Sequence, residues 1–244
     1  DYIIDRMRLG PLTGPRNMKD WELFVDRIVN ADKTVRIAVV GKYTSLADSY
    51  LSHLEAFTHA GAVAGCHVKI KFIDSDDLTS GNPDGLLGDV HGILVPGGFG
   101  IRGVEGKIIA ARYAREHKVP FLGVCLGFQI ATIEIARDML GLTKANSTEF
   151  DPGTPNPVIC IMNEQKGIVD MGATMRLGAQ DVYISENSRA SSLYGSCLIS
   201  ERHRHRYEVN PDYISDLEKA GWKFTGRSEC GTRMEIGELD GHPF

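Results

Sequence analysis

Residues 120–129 read PFLGVCLGFQ and place one cysteine between two glycines. The first residues form an apolar run that is typical of a buried strand, and apolar residues at helical spacing follow as far as Leu140. Gly123 and Gly127 lie two positions on either side of Cys125. Glycines at this spacing indicate a sharp strand-to-helix turn, because neighbouring backbone comes too close there for a Cβ. The pattern therefore predicts a cysteine displayed on a nucleophile elbow.

Strand and helix patterns alternate on both sides of this turn, which predicts an α/β fold with a mostly parallel central sheet and helices on both faces. The second half is richer in strand patterns, and we expect it to form an added strand-rich portion. The predicted strands lie at 35–40, 68–73, 90–95, 119–124, 158–162, 182–184, 198–200, 223–225 and 233–239. The predicted helices lie at 46–65, 104–117, 126–140 and 211–220.

The N-terminal residues differ from this pattern. Residues 1–17 mix Gly, Pro and Arg without a clear period, whereas 18–31 have apolar residues at helical spacing, so we interpret 1–33 as an interdomain linker and a short helix. Asn17 is a candidate cap for that helix. Residues 34–244 are predicted to form one domain. Because the chain opens on Asp1 rather than Met, we interpret it as a piece of a longer polypeptide.

Composition excludes several classes of protein. The net charge of −5 argues against nucleic acid as a partner, and no apolar run approaches the roughly 20 residues of a membrane span. The five cysteines are widely spaced and never form a C-x-x-C pair, so we expect neither a disulfide framework nor a metal site. Reduced thiols and the lack of a signal segment predict a cytoplasmic protein.

The turn also has chemical consequences. Unpaired N–H groups at a helix N-terminus favour a thiolate, so we expect Cys125 to be ionised and nucleophilic. The backbone N–H of Leu126 then points to where an oxyanion would form. A second glycine turn, PGGFG at 96–100, follows the preceding predicted strand. Carboxyl ends of parallel strands share one edge of the sheet, so Gly98 could supply the second oxyanion N–H. The other four cysteines are expected to be structural.

Longer stretches of the sequence resemble those of a known protein family. LGVCLGFQ with VPGGFG resembles the class I glutamine amidotransferases, and further strings narrow the resemblance to the glutaminase domains of CTP synthases. KANSTEF and RHRHRYE are not shared by amidotransferases in general, and the similarity runs from DYIIDR to the final HPF. The strings are GKYTSLADSY (41–50), VPGGFGIRGVEGK (95–107), KANSTEF (144–150), MGATMRLGAQ (171–180) and ERHRHRYEVN (201–210).

The resemblance implies a cysteine amidase. Cys125 would attack the side-chain amide of L-glutamine and form a thioester, releasing ammonia that a synthetase domain uses to aminate UTP activated by ATP. A free amino acid needs an acceptor for its ammonium and a cation for its carboxylate, roles that Glu149 and Arg206 fit. The substrate-binding positions implied are Gly98, Phe99, Leu126, Gly127, Phe128, Gln129, Glu149 and Arg206. By strand alternation, Arg202, Arg204 and Arg206 would share one face, opposite His203 and His205.

Cofactors and partners follow from the same resemblance. No cofactor is expected in this chain, since the ATP, UTP and magnesium sites would belong to an N-terminal synthetase domain of the same polypeptide. GTP is expected as an allosteric activator near 172–180, and the parent enzyme is expected to be homo-oligomeric. The sequence alone leaves two other readings open: another thiol amidase, such as a γ-glutamyl hydrolase, and a non-catalytic regulatory module that binds glutamine or a nucleotide.

A catalytic histidine is the weak point of the resemblance. A cysteine of this kind needs a base, usually a histidine oriented by a carboxylate. The family's histidine and glutamate lie in an H-P-E string beyond the H-P-F string, which here is His242–Phe244. We therefore expect the catalytic domain to be truncated in this chain and glutamine hydrolysis to be slow. His203 and His205 are the only candidate substitutes.

Overall fold

The computed structural model describes residues 2–10, 17–44, 47–161 and 176–244. The chain divides into two units, one made of Asp1–Val35 with Tyr50–Lys69 and the other of Arg36–Ser49 with Ile70–Phe244. The expected domain boundary at residue 33/34 stays a prediction. Among the described residues, no helix is both long enough and apolar enough to cross a bilayer.

The smaller unit contains three helices, α1 (Tyr2–Met7), α2 (Lys19–Val29) and α3 (Leu51–Ala64). Helix α2 is the short helix expected near the N-terminus. Its cap residue is Met18, although the Asn17 side chain accepts a hydrogen bond of 3.3 Å from the Lys19 N–H. Helices α2 and α3 contact each other, with the Phe24 and His59 rings edge to face at 5.4 Å.

A four-stranded sheet forms the centre of the fold, in the order β2-β1-β3-β4. The pairs β1–β3 and β3–β4 are parallel, and Ala38, Val39 and the residues of β3 are fully or almost fully buried. A 3-10 turn at Ala47–Tyr50 follows β1. The strands are β1 (Lys33–Gly41), β2 (Cys66–Asp74), β3 (Gly92–Val95) and β4 (Phe121–Gly123), and the helices between and after them are α4 (Ser75–Ser80), α5 (Pro83–Leu87), α6 (Val104–His117) and α7 (Leu126–Asp138).

Helices α6 and α7 pack against β3, β4 and each other. Both helices bury small residues, among them Ala110, Ala111 and Ala131, where close packing leaves little room for larger side chains. Each strand of the β3–β4 pair ends at a loop on the same edge of the sheet, and the Val124 N–H donates to the Val95 carbonyl at 2.9 Å. This edge brings the two glycine turns together. The expected α/β fold with a parallel sheet is confirmed.

The second half adds two further sheets, as expected for a strand-rich portion. One has the order β11-β10-β7-β8 and is antiparallel, and the other has the order β5-β6-β9. The chain passes from the first to the second between β8 and β9. The elements are β5 (Ala145–Ser147), β6 (Asn156–Ile161), β7 (Arg176–Ile184), α8 (Arg189–Tyr194), β8 (Leu198–His205), β9 (Tyr207–Val209), α9 (Pro211–Lys219), β10 (Trp222–Ser228) and β11 (Met234–Leu239).

Candidate active site

Cys125 lies on the turn between β4 and α7 with φ 54° and ψ −102°. An L-residue rarely adopts a positive φ, so the turn is strained at the cysteine itself. The flanking glycines explain how the turn closes. A Cβ at Gly127 would overlap the Val95 carbonyl oxygen and lie 2.9 Å from its carbon, and a Cβ at Gly123 would lie 2.8 Å from the Phe128 nitrogen. Side chains at either position would push the strand and helix apart.

Two backbone N–H groups are directed at the thiol. The N–H groups of Leu126, at the start of α7, and Gly98, in the second glycine turn, both act to lower the pKa of the Cys125 thiol. A Cβ at Gly97 would make only ordinary contact with the Cys125 Cβ, at 3.6 Å. The structure thus brings together the nucleophile candidate and both oxyanion donors that the sequence suggested. Their roles in a reaction stay a prediction.

The charge state of the thiol differs from the sequence expectation of an ionised sulfur. Loss of solvation raises the pKa of the Cys125 thiol, and the two N–H groups oppose this increase without cancelling it. The carboxylates of Glu149 and Glu208 raise the pKa further. Cys125 as a whole residue is nonetheless exposed to solvent. A resting thiol at neutral pH follows, and nucleophilic attack therefore requires a proton acceptor.

Cys125 opens onto a cavity of about 670 Å³. Its apolar wall includes Trp222 and Phe244, and its polar wall includes His203, His205 and Glu208. A volume of several hundred cubic ångströms bounded by a few polar groups is typical of small-molecule sites. The cavity therefore has room for an amino-acid substrate beside the sulfur.

The two cavity histidines are each bonded to a buried carboxylate. His203 Nε2 lies 2.9 Å from Glu235 Oε2, and His205 Nε2 lies 2.7 Å from Glu208 Oε1. Both carboxylate side chains are only 4% exposed. His203 Nδ1 also lies 2.9 Å from the Glu201 carbonyl oxygen. These bonds occupy Nε2 of both rings, so neither histidine presents that atom to the Cys125 thiol.

Glu149 and Arg206, the groups proposed to bind the two charged ends of glutamine, both act electrostatically on Tyr207. Burial raises the pKa of the Tyr207 phenol, the Glu149 charge raises it further, and the Arg206 charge opposes both. Glu149 acts on Cys125 as well, and its Oε1 accepts a hydrogen bond of 2.7 Å from the Gly100 N–H. The anionic group, Glu149, therefore lies near Cys125, and the cationic group, Arg206, lies beside Tyr207, which lines the same cavity as the cysteine.

Arg206 does not continue the strand face of Arg202 and Arg204, and this expectation was wrong. Strand β8 ends at His205, and Arg206 forms a bend before β9 begins. The physical reason is the change of partner strand, since β8 pairs with β7 and β9 pairs with β6. A strand that changes sheets cannot keep its alternation.

The remaining predicted positions are placed as follows. Gln129 is buried and its amide nitrogen donates to the Tyr207 carbonyl at 3.0 Å, so in this structure that nitrogen is engaged by protein. Phe128 packs in an aromatic cluster with the Trp222 and Phe224 rings, at 6.1 and 6.4 Å. Phe99 is 79% exposed, with the Lys42 ammonium 5.8 Å from its ring centre.

The expected GTP region lies partly outside the described residues, since 172–175 fall there, while 176–180 belong to β7. Within the described ranges, no group of three or more His, Cys, Asp and Glu side chains is arranged to hold a metal ion. Sequence reasoning did not single out Glu208 or Tyr207, although both lie in the RHRHRYE string. The signal was the three-residue spacing of His205 and Glu208 in a string of unusual charge density.

Comparison with known proteins agrees with the geometry. Residues 45–244 match the family described as glutamine amidotransferase class-I. The chain belongs to this family.

Within that family, the chain groups with the glutaminase domains of CTP synthases. It is 53% identical over 238 residues to the CTP synthase of Archaeoglobus fulgidus and 51% identical over 247 residues to that of Methanopyrus kandleri. It covers 44% and 46% of those proteins, while they cover 98% and 100% of it, so the chain spans less than half the length of these relatives. A solved structure of the Trypanosoma brucei CTPS glutaminase domain with bound acivicin is 41% identical in sequence and superimposes with a TM-score of 0.74. The alignment covers 84% of this chain and 79% of that chain.

Proposed function

We propose that this chain hydrolyses the side-chain amide of L-glutamine, with Cys125 as the nucleophile. The observation that carries the proposal is the strained turn at Cys125, with the N–H groups of Gly98 and Leu126 directed at the sulfur. Donors held in this way also reach the oxygen of a carbonyl that the sulfur attacks, and they stabilise the charge that develops on it.

The reaction proceeds in two steps. The sulfur transfers its proton to a base and forms a bond to the amide carbon, and the C–N bond breaks as the nitrogen gains a proton and leaves as ammonia. Water then attacks the thioester carbon, which releases glutamate and restores the thiol. Glu149 would accept from the substrate ammonium and Arg206 would pair with its carboxylate. Gly98, Phe99 and Leu126–Gln129 would complete the binding site.

The wider role is part of the same proposal. Ammonia would pass to a synthetase domain that precedes this chain in the same polypeptide and aminates UTP to CTP. The ATP, UTP and magnesium sites would be in that domain, and GTP would activate the enzyme. This is supported by the CTP synthases that match, of which the chain covers less than half. Homo-oligomerisation of the parent and a cytoplasmic location stay predictions.

Basal hydrolysis by this chain should be slow. The raised thiol pKa leaves little thiolate at neutral pH, and both cavity histidines are bonded to carboxylates. Loss of the base from a cysteine or serine amidase typically lowers kcat by several orders of magnitude. The rate of attack on the amide is therefore limited by the small fraction of Cys125 that is ionised.

Covalent labelling tests the proposal without depending on turnover. A diazo ketone analogue of glutamine should modify Cys125 in a one-to-one ratio, and L-glutamine should prevent this modification. Cys125→Ala should abolish labelling, whereas Cys197→Ala, which removes another exposed cysteine, should leave it unchanged. Protection by glutamine with no labelling of Cys125 would instead support a regulatory binding module. Labelling that glutamine does not prevent would favour a thiol hydrolase with a different substrate.

A further inference from the structure

The bend between β8 and β9 is held by side chains rather than by a continuous strand ladder. His205 is the last residue of β8, where it pairs in register with Arg176, and Tyr207 is the first residue of β9, where it pairs with Ile161. Arg206 is the single residue between these two strands. Backbone hydrogen bonds therefore fix each strand within its own sheet, while the angle at the bend depends on other contacts.

The contacts of this bend include one side-chain bond from α7 and one that crosses the bend itself. The Gln129 amide on α7 donates to the Tyr207 carbonyl at 3.0 Å, which ties the bend to the helix that begins at the cysteine. His205 Nε2 lies 2.7 Å from Glu208 Oε1, which joins the residues on either side of Arg206 and Tyr207. The His205 and Glu208 side chains are 15% and 4% exposed. A bond between two such buried groups is stronger than an exposed ion pair and is costly to leave unmade.

We propose that His205 is a positioning residue, which through its bond to Glu208 holds Tyr207, and with it the adjacent Arg206, in place at the cavity that Cys125 lines, and so determines the affinity for glutamine. The inference rests on the function proposed above. Without the imidazole, the Glu208 carboxylate would remain buried and lose a donor. The bend would then shift to hydrate it, and the cation that meets the substrate carboxylate would move with the bend.

The electrostatics around the sulfur give an independent consequence. The charges that face Cys125 are those of Glu149 and Glu208, and the N–H groups of Leu126 and Gly98 oppose them. Removal of the hydrogen-bond donor of His205 concentrates negative charge on Glu208, which disfavours the thiolate. A purely structural loss of packing would not produce a shift of this sign.

His203 provides a matched control. It lines the same cavity, and its Nε2 makes a bond of 2.9 Å to Glu235, a carboxylate buried to the same extent as Glu208. Glu235 lies on β11, so this pair does not span the bend. Substitution of His203 removes a comparable buried interaction and leaves the connection at Arg206 intact.

The test measures the concentration of L-glutamine that halves the rate at which iodoacetamide alkylates Cys125. Site-resolved mass spectrometry on the full chain follows the alkylation. His205→Ala should raise that concentration about tenfold, which corresponds to about 1.4 kcal/mol. His205→Gln, whose amide can still donate to Glu208, should stay within about threefold of the parent, and His203→Ala within about twofold. Circular dichroism of each variant shows whether it is folded.

The pH dependence of the alkylation rate gives the second readout. The pH at which Cys125 is alkylated at half its maximal rate should rise in His205→Ala, fall in Glu208→Gln and stay unchanged in His203→Ala. If glutamine protects the parent and His205→Ala behaves like His203→Ala in both measurements, the inference is wrong while the proposed function stands. If glutamine does not protect the parent chain at any concentration, the proposed function itself fails, and the inference with it.

Discussion

Gly127 on the first turn of α7 faces the carbonyl group of Val95 at the end of β3, and a Cβ at this glycine would overlap the carbonyl oxygen. The contact joins the helix that follows the cysteine to the neighbouring strand of the sheet. It explains why the turn needs glycine although the residue is helical, since the reason is close approach rather than backbone freedom.

Gly127→Ala should therefore destabilise the protein by about 2–4 kcal/mol, because an added methyl group in a tight contact forces the backbone apart. Urea unfolding measures the change, and Cys125 labelling by a glutamine analogue should fall with it. Gly85→Ala is the matched control, since this glycine lies in α5 with open space around its Cα. Alanine is the better helix former, so the control should gain up to about 1 kcal/mol. Equal stability of the two variants would contradict the role given to the Val95 contact.

Cys230 should be the most easily alkylated thiol of the described residues, ahead of Cys125. Its pKa is lowered to about 7 by hydrogen bonds from the Ser228 and Thr232 hydroxyls, at 3.3 and 2.9 Å. About half of it is thus ionised at pH 7, whereas the pKa of the Cys125 thiol is raised. Iodoacetamide at pH 7, read by mass spectrometry, should label Cys230 first. Thr232→Val should slow this labelling, and faster labelling of Cys125 in the parent chain would contradict the predicted order of pKa values.

Lys107 on α6 should make stability depend on pH in the alkaline range. Its side chain is 2% exposed, and burial, with the Lys42 charge adding, lowers the pKa to about 8 from the model-compound value of 10.5. Between these two values the unfolded chain holds a proton that the folded chain does not, so stability rises with pH across the window. Lys107→Met should add about 3 kcal/mol at pH 7, and this advantage should shrink towards pH 10.5.

Thermal and urea unfolding at pH 7 and pH 10 would measure this effect. Lys219→Met is the control, since the Lys219 side chain is 73% exposed and pairs with Asp216 on the surface. It should change stability by less than about 1 kcal/mol at either pH. A Lys107→Met variant whose advantage is the same at both pH values would show that folding does not lower the pKa of this amine.

Arg115 on α6 should be essential to the α6–α7 interface. Its guanidinium lies 2.8 Å from Glu134 Oε1, and the Glu134 side chain is completely buried. Arg115→Met leaves that carboxylate without this cation and should cost about 3–5 kcal/mol. The double variant Arg115→Met with Glu134→Leu should recover most of the loss, because two apolar groups can replace a buried ion pair.

A surface pair is the comparison for Arg115. Arg36 Nε lies 3.6 Å from Asp89 Oδ2, and both side chains are about half exposed. Arg36→Met should therefore cost at most about 1 kcal/mol in the same urea unfolding experiment. If Arg115→Met costs no more than Arg36→Met, burial of Glu134 does not create the dependence described above.

The local features of this site could be predicted from the sequence, while those that depend on distant elements could not. The strand, turn and helix around Cys125 follow from ten contiguous residues, and so does the approach of Gly127 to other backbone. The raised thiol pKa does not, because it comes first from burial in the folded chain and then from the carboxylates of Glu149, which follows β5, and Glu208, which lies on β9.

Arg206 shows the second limit. Alternation in RHRHRYE is a valid guide while a strand keeps one partner, and it predicts the wrong face once the chain changes sheets. Strand β5 shows a third limit, since Ala145–Ser147 is too short to display any period. Periodicity measures local regularity, and it carries no information about where a strand finds its neighbours.

Because Cys125 has a positive φ, the residue that activity requires at this position lowers the stability of the fold. A non-glycine residue in a sparsely populated backbone region costs of order 1–3 kcal/mol, which the surrounding fold has to offset. Glycine at 125 would remove that tension along with the sulfur, so selection for heat resistance alone would favour the inactive protein. Laboratory evolution of a more robust variant therefore has to screen for the thiol at every round.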